Sequence, residues 1–339
     1  MSAPAPIDID ATALALAAAQ LDAGELVAFP TETVYGLGAD AENPLAVARI
    51  YQAKGRPAKH PVIVHLAPGA DIDYWAQQVP PEARLLIGAF WPGPLTLILK
   101  RADHIPAAVS GGQASIGLRC PSHPVAQALL TAFAACKRNG QGGVAAPSAN
   151  RYGHVSPTQA EHVRAEFPEL VAGGMTILEG GQADVGIEST ILDVSRLEEV
   201  GPVLLRPGHI TAVQIAEVLG VMPLAPDEAA PRVSGSLKAH YAPMTPLSVL
   251  PREALLAHAA AASDRLVAVL FAEPPVDANP LVDWLACPSD PVRYARELYA
   301  LLRRLDKQGY SGILMEQPPR TAAWQAVNDR IGRAAAAFL

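Results

Sequence analysis

The chemistry-bearing residues of this chain sit where apolar runs end. Glu25-Leu26-Val27-Ala28-Phe29 has the length of a buried strand, Pro30 stops it, and Thr31-Glu32-Thr33-Val34-Tyr35-Gly36-Leu37-Gly38-Ala39-Asp40 follows with hydroxyls, a carboxylate and glycines close together. That stretch is either the floor of a site or a turn with incidental threonines. Lys54-Gly55-Arg56 offers a mobile point charge beside a planar fork. On an extended chain both would point the same way and suit a polyphosphate; on a helix end they would be solvated cations that favour the dipole. Arg119 closes the run Ser115-Ile116-Gly117-Leu118, so its guanidinium meets either a carboxylate ligand or an internal Asp or Glu. Ser148-Ala149-Asn150 and Glu188-Ser189-Thr190 adjoin other apolar runs. With Thr31 and Thr33 they describe a pocket of hydroxyls and amides, good for orienting a polar ligand and poor for nucleophilic attack.

Covalent chemistry finds no support: no serine lies in Gly-x-Ser-x-Gly and no cysteine in a local catalytic pattern. A Gly-x-x-x-x-Gly-Lys-Ser/Thr loop is missing too. Gly36-Leu37-Gly38-Ala39-Asp40-Ala41 satisfies a relaxed dinucleotide pattern, but Asn43-Pro44 starts the next helix and the position about twenty residues later is basic. His60 and His65 read as ligand-contacting or structural. These residues imply an enzyme that works by positioning a phosphorylated and a carboxylated substrate, with metal-assisted chemistry.

The elements needed to hold such groups can be read in order. Helices are expected over 11–23, 44–53, 72–90 with a break at Pro80-Pro81, 123–137, 158–167 and 211–219, and strands over 25–29, 61–66, 95–99, 115–119, 143–147, 175–178, 189–194 and 203–205. Strands outnumber strict alternation, so the fold class is α/β with α+β character, a twisted mixed sheet flanked by helices over 1–220. Prolines and Ser234-Gly235-Ser236 mark 221–245 as an extended linker. Apolar strands at 247–250, 265–271 and 312–315 alternate with helices at 252–262, 291–308 and 321–337, the pattern of a small Rossmann-like βαβ domain over 246–339.

Composition bounds the function. A chain of 339 residues with 50% hydrophobic side chains can bury a core large enough for two domains. A formal net charge of -7 argues against a protein whose main task is coating nucleic acid. Cys120, Cys136 and Cys287 lie far apart, without disulfide or zinc spacing, and no apolar run is long enough to span a membrane, so a soluble cytoplasmic protein is expected.

Pro30-Thr31-Glu32-Thr33-Val34-Tyr35-Gly36-Leu37, Lys54-Gly55-Arg56-Pro57, Pro147-Ser148-Ala149-Asn150, Ser156-Pro157-Thr158, Glu188-Ser189-Thr190 and Leu205-Arg206-Pro207-Gly208 stand in the order of the YrdC-like family. His240-Tyr241-Ala242-Pro243 and the C-terminal unit resemble its two-domain members, the L-threonylcarbamoyladenylate synthases. The resemblance covers essentially the whole chain. It implies formation of threonylcarbamoyl-AMP and pyrophosphate from L-threonine, bicarbonate and ATP, the first step toward threonylcarbamoyladenosine in tRNA. Mg2+ would accompany ATP, with no metal site of the protein's own and no organic cofactor. The product would pass to a tRNA threonylcarbamoyl transferase complex, with at most weak tRNA contact and no membrane.

By matching motif position, the resemblance makes Thr33, His65, Arg119 and Ser189, with the main chain at Ala146, contacts for L-threonine. Lys54, Arg56, His60, Ser115, Ser148, Asn150, Ser156 and Arg206 fall where the family holds ATP or the adenylate. Lys54 and Arg56 would be the catalytic cations, and Tyr241 would fold over the nucleotide as a lid. The chain departs from the family's pattern in three places. His60 stands where asparagine is common, Arg151-Tyr152-Gly153 replaces small residues, and Ser236-Leu237 replaces Gly-Met. Two other readings compete: carbamoyl transfer through carbamoyl-AMP, whose family members carry acylphosphatase and zinc-finger regions not seen in this sequence, and non-catalytic RNA binding, which the acidity and the absence of aromatic interleaving near the basic pair oppose.

Overall fold

The computed structural model describes residues 9–235 and 237–339; most of the short loose start expected before Ala11, and Ser236 of the linker, lie outside the described residues. The chain divides into two units: the first takes Met1–Tyr152, Pro157–Asp184 and Glu188–Ser236, the second Gly153–Ser156, Val185–Ile187 and Leu237–Leu339. The expected linker is thus shared between them.

The first unit is built on a nine-stranded mixed sheet. Its strands are β1 (Val27–Phe29), β2 (Gly36–Asp40), β3 (Ile63–His65), β4 (Ala76–Gln77), β5 (Leu95–Arg101), β6 (Ser115–Arg119), β7 (Val144–Ala145), β8 (Thr190–Asp193) and β9 (Val203–Arg206). They lie in the order β1-β2-β7-β3-β6-β5-β8-β9, with β4 on β5. Pairing is antiparallel except for β3 with β6 and β5 with β8. Side-chain alternation along the strands sorts them between two cores. Val27, Phe29 and Val144 join the helices Ala11–Asp22 and Pro124–Cys136 on one face. Ala28, Leu37, Val64 and Leu118 join the helices Pro44–Lys54, Pro81–Phe90 and Ala212–Leu219 in the other cluster.

Three expectations for this unit need correction. No strand is expected between 30 and 60, yet β2 returns along β1 as a hairpin, Val27 opposite Gly38. Glycine hid it, because a Cβ at Gly38 would come within 2.8 Å of Val144 and 2.9 Å of the Phe29 ring, so close packing selects the residue that sequence reading takes for a turn. Residues 175–178 form only an isolated bridge, Ile177 to Ala28. Lys54 and Arg56 do not share an extended segment: Lys54 ends the helix Pro44–Lys54 and Gly55 caps it with φ 62°, a left-handed conformation that glycine adopts without strain.

The second unit carries a four-stranded, all-parallel sheet in the order β10 (Leu247–Leu250), β13 (Gly312–Glu316), β11 (Leu266–Leu270), β12 (Val282–Ala286). The helices Arg252–Ala260, Pro291–Leu305 and Gln325–Ala335 complete it. The Rossmann-like pattern holds, and β12 is an added edge strand. The unit also includes the two short excursions from the middle of the chain. Ala242 N–H donates to the Gly153 carbonyl at 2.9 Å, and Arg303 donates to the carbonyls of Val155 and Ser156. No helix among the described residues is long and apolar enough to cross a membrane.

Candidate active site

The side of the site expected to take the amino acid begins where β1, β3 and β6 end. Parallel pairing places His65 directly across from Arg119. Arg119 is 3% exposed and its Nη1 donates to Thr33 Oγ1 at 2.9 Å, while Nε donates to the Gly93 carbonyl at 3.3 Å. Its Nη2 lies 2.7 Å from Glu32 Oε1. This is an ion pair without hydrogen-bond alignment, since both atoms lack a hydrogen-bond partner. Of the two readings of Arg119, the internal carboxylate is present, and it stands beside the residues expected to receive a ligand. The Thr31 hydroxyl donates to the Val34 carbonyl at 2.6 Å, so in its 2.8 Å contact with Thr33 the Thr33 hydroxyl must be the donor. Thr33 therefore offers a ligand only an acceptor. Burial first, then the Arg119 charge, holds the His65 pKa down to about 3, so the ring is neutral at physiological pH.

Ser189 precedes β8 and is 1% exposed. Its hydroxyl meets Thr96 Oγ1 at 2.8 Å and accepts from Arg206 Nη2 at 3.1 Å, and its carbonyl accepts from Arg206 Nε at 3.0 Å. One serine thus ties the expected threonine contact to the expected nucleotide contact. Ala146 follows β7, its amide donating to the Ile63 carbonyl at 2.9 Å, which keeps this main chain beside β3.

The side expected to take the nucleotide gathers cations on main-chain oxygens. Lys54 Nζ donates to the Ser148 carbonyl at 2.6 Å and to the Asn150 carbonyl. Arg56 Nη2 donates to the Pro61 carbonyl at 2.7 Å, and both terminal nitrogens lie 3.5 Å from Ser234 Oγ. Arg206 Nη1 donates to the Ser234 carbonyl at 2.9 Å. Lys54, Arg56, Asn150 and Arg206 are all buried, which removes the solvated-helix-end reading. Ser115 opens β6, at the opposite end of that strand from Arg119, about 13 Å away at the rise of a β-strand.

His60 and Tyr152, at two departures from the family pattern, make a single feature. The Tyr152 hydroxyl and His60 Nδ1 are hydrogen-bonded at 3.0 Å, their rings meet edge to face, and Arg56 lies over the Tyr152 ring. Burial, then the charges of Arg56 and Arg232, lowers the His60 pKa. A second aromatic-histidine pair lies in the other unit, where Tyr241 adopts φ 63° and packs on His240 and Tyr299 under the Arg330 guanidinium. Ser156 also belongs to that unit.

Four further residues take part whose partners are not readable from the sequence. Glu32 was legible as a carboxylate but its partner was not. Thr96 sits inside an apolar strand, Tyr152 looked like a mere departure, and Ser234 looked like linker. The hydroxyl of Thr96, set in an otherwise apolar run, was a signal of the same kind as the Glu32 carboxylate.

Residues 19–208 match the family described as Telomere recombination, which unites Sua5, YciO and YrdC, and residues 210–336 match the family described as Threonylcarbamoyl-AMP synthase, C-terminal domain. The threonylcarbamoyl-AMP synthase of Pyrococcus abyssi (strain GE5 / Orsay) is 35% identical over 337 residues, covering 94% of this chain and 92% of its own. That of Bacillus subtilis (strain 168) is 38% identical over 330 residues, with the same 94% and 92% coverage. Among solved structures, P. abyssi Sua5 complexed with L-threonine superposes with a TM-score of 0.84 at 34% identity, over 98% of this chain and 96% of that one. With both regions matched in order and nearly the whole length aligned, the chain belongs to the Sua5/YciO/YrdC family, as a two-region member related to the threonylcarbamoyl-AMP synthases.

Proposed function

We propose that this protein is a threonylcarbamoyl-AMP synthase that joins L-threonine, bicarbonate and ATP, releases pyrophosphate, and so starts the threonylcarbamoyladenosine modification of tRNA. The observation that carries this reading is the buried Arg119, braced by Thr33 and lying across from a neutral His65, in a chain similar over nearly its full length to a Sua5 solved with L-threonine. Arg119 takes the threonine carboxylate as a fork, and Thr33, Ser189 and the main chain at Ala146 fix the rest of the amino acid. Lys54, Arg56 and Arg206 hold the triphosphate, with Ser148, Asn150, Ser115 and His60 on the nucleotide.

The carbamate oxygen of N-carboxythreonine attacks the α-phosphorus and pyrophosphate leaves in line. The residues therefore contribute alignment and charge stabilisation, and no protein nucleophile takes part. Lys54, fixed by two carbonyls, meets charge that moves toward the leaving group. Magnesium would ride on the triphosphate oxygens and offset part of the charge that Lys54, Arg56 and Arg206 meet. The unstable adenylate passes to a tRNA threonylcarbamoyl transferase complex, the acidic chain itself making little contact with tRNA, and its three unpaired cysteines suit the cytoplasm.

The test is direct. Purified protein is given ATP, magnesium, bicarbonate and L-threonine, pyrophosphate is followed with each omitted in turn, and the adenylate is identified by mass spectrometry. Pyrophosphate release that does not depend on threonine would sink the reading. Tyr241→Ala should raise the ATP requirement and shorten the adenylate's lifetime; unchanged values would remove Tyr241 from the nucleotide contacts.

A further inference from the structure

Glu32 is the group that the reading above leaves without a task. Glu32 is 5% exposed, both carboxylate oxygens are buried, and neither receives a hydrogen bond, although Oε1 lies 2.7 Å from Arg119 Nη2. A buried carboxylate with no donor on either oxygen loses its hydration without replacement, a cost that proteins seldom leave uncompensated. The neighbouring groups do not supply the missing donor. Cys120 is buried, its thiol pushed up to about 11 by burial and by Glu32, and so is neutral; His123 at the start of the helix Pro124–Cys136 is lowered by burial, accepts from the Val125 amide and has the Gly180 carbonyl at 3.2 Å. Of the titratable groups around Glu32, Arg119 is the charged one.

The site therefore presents a fixed dipole: the Arg119 fork as its positive end, and Glu32 as a negative end beside the Thr33 hydroxyl, which can only accept. A zwitterionic α-amino acid is the ligand whose charges match it. Its carboxylate falls to Arg119, and an ammonium with three donors satisfies Glu32 and Thr33 together. An ammonium cannot form a carbamate until it gives up a proton. Resting on the proposed function, we infer that Glu32 binds the α-ammonium of L-threonine and accepts its proton, producing the amine that reacts with bicarbonate. The N–H bond breaks toward a carboxylate oxygen of Glu32, leaving a neutral amine and a neutral acid, a pair less costly to bury than two ions. The nitrogen lone pair then bonds to the bicarbonate carbon, water leaves, and the carbamate keeps the single negative charge that bicarbonate brought. Glu32 returns its proton to solvent after product release.

The test measures threonine-dependent pyrophosphate release by the unaltered full-length chain, then binding of L-threonine and of 2,3-dihydroxybutanoate, which replaces the ammonium by a hydroxyl. The unaltered chain should prefer L-threonine by about 100-fold or more, and Glu32→Gln should narrow that preference to about fivefold. Turnover of Glu32→Gln should rise close to tenfold per pH unit between about pH 7 and 9, while the unaltered chain stays flat. Equal binding of the two ligands by the unaltered chain overturns the inference whether or not the variant folds. So does a variant that keeps the preference and the flat profile but needs more threonine, the signature of a residue that only braces Arg119. Absence of threonine-dependent release in the unaltered chain strikes the proposed function instead, so the two failures are told apart.

Discussion

The mixed sheet of the first unit and the parallel sheet of the second both bury their central strands, but they end them differently. In the first, Glu32, Thr33, His65, Arg119 and Ser189 are polar and buried at or just beyond strand ends. In the second, β11 is buried throughout and its neighbouring polar pair, Arg265 with Asp283 at 2.8 Å, is half exposed. Desolvating polar groups is costly, so a sheet that does so repeatedly at its strand ends marks the candidate ligand site, whereas the half-exposed pair beside β11 fits a scaffold.

That contrast can be broken by substitution. The largest effect is expected from Lys54→Ala, which should lower turnover by about 100- to 1000-fold with little change in the threonine requirement, measured by steady-state pyrophosphate release. Arg119→Ala should instead raise the threonine KM by about 100-fold and, by leaving Glu32 buried without its cation, cost about 3 kcal/mol in denaturant unfolding. The double variant Arg119→Ala with Glu32→Gln should recover most of that stability and none of the threonine affinity. Equal effects of Lys54→Ala and Arg119→Ala on threonine affinity would erase the division of labour between the two sides of the site.

His65 gives a smaller, pH-dependent effect. Its pKa of about 3 in the folded chain lies below the ordinary 6.5, so between those values the unfolded chain binds a proton that the folded one does not. Stability contributed by the neutral ring is complete above about pH 6.5 and is lost as pH falls toward 3, with a limiting slope of about 1.4 kcal/mol per pH unit. His65→Asn should flatten that slope in a series of melts. The smallest effect belongs to the scaffold: Asp283→Asn, in its exposed pair, should change stability by less than about 1 kcal/mol and leave both KM values alone. A comparable loss there would mean that the second sheet is not the inert partner in this contrast.

Much of this was legible in the sequence, for identifiable reasons. The continuous apolar run Leu266–Leu270 announces a buried strand, and Asn43-Pro44 announces a helix start that the structure caps with the Asn43 side chain. β2 was hidden because its glycines are demanded by close neighbours, and β12 because a half-exposed edge strand mixes Asp283 with Trp284. In the site, residue types were readable and partners were not. Thr33 and Arg119 meet across 86 positions of sequence, and nothing local in either segment encodes the other. Ser234 was invisible for the same reason, since a serine among prolines and glycines reads as linker until two arginines are seen around it.

The inclusion of Gly153–Ser156 and Val185–Ile187 in the second unit sets an order of assembly. During synthesis these short excursions emerge well before Leu237, and the Arg303 that grips the Val155 and Ser156 carbonyls lies 147 and 148 positions from them. Contacts so distant along the chain form late, because loop closure must precede any gain from them. The first sheet can therefore collapse on the ribosome while its own excursions wait for the C-terminal third, and a chain arrested before that third would expose them to proteases at two defined places.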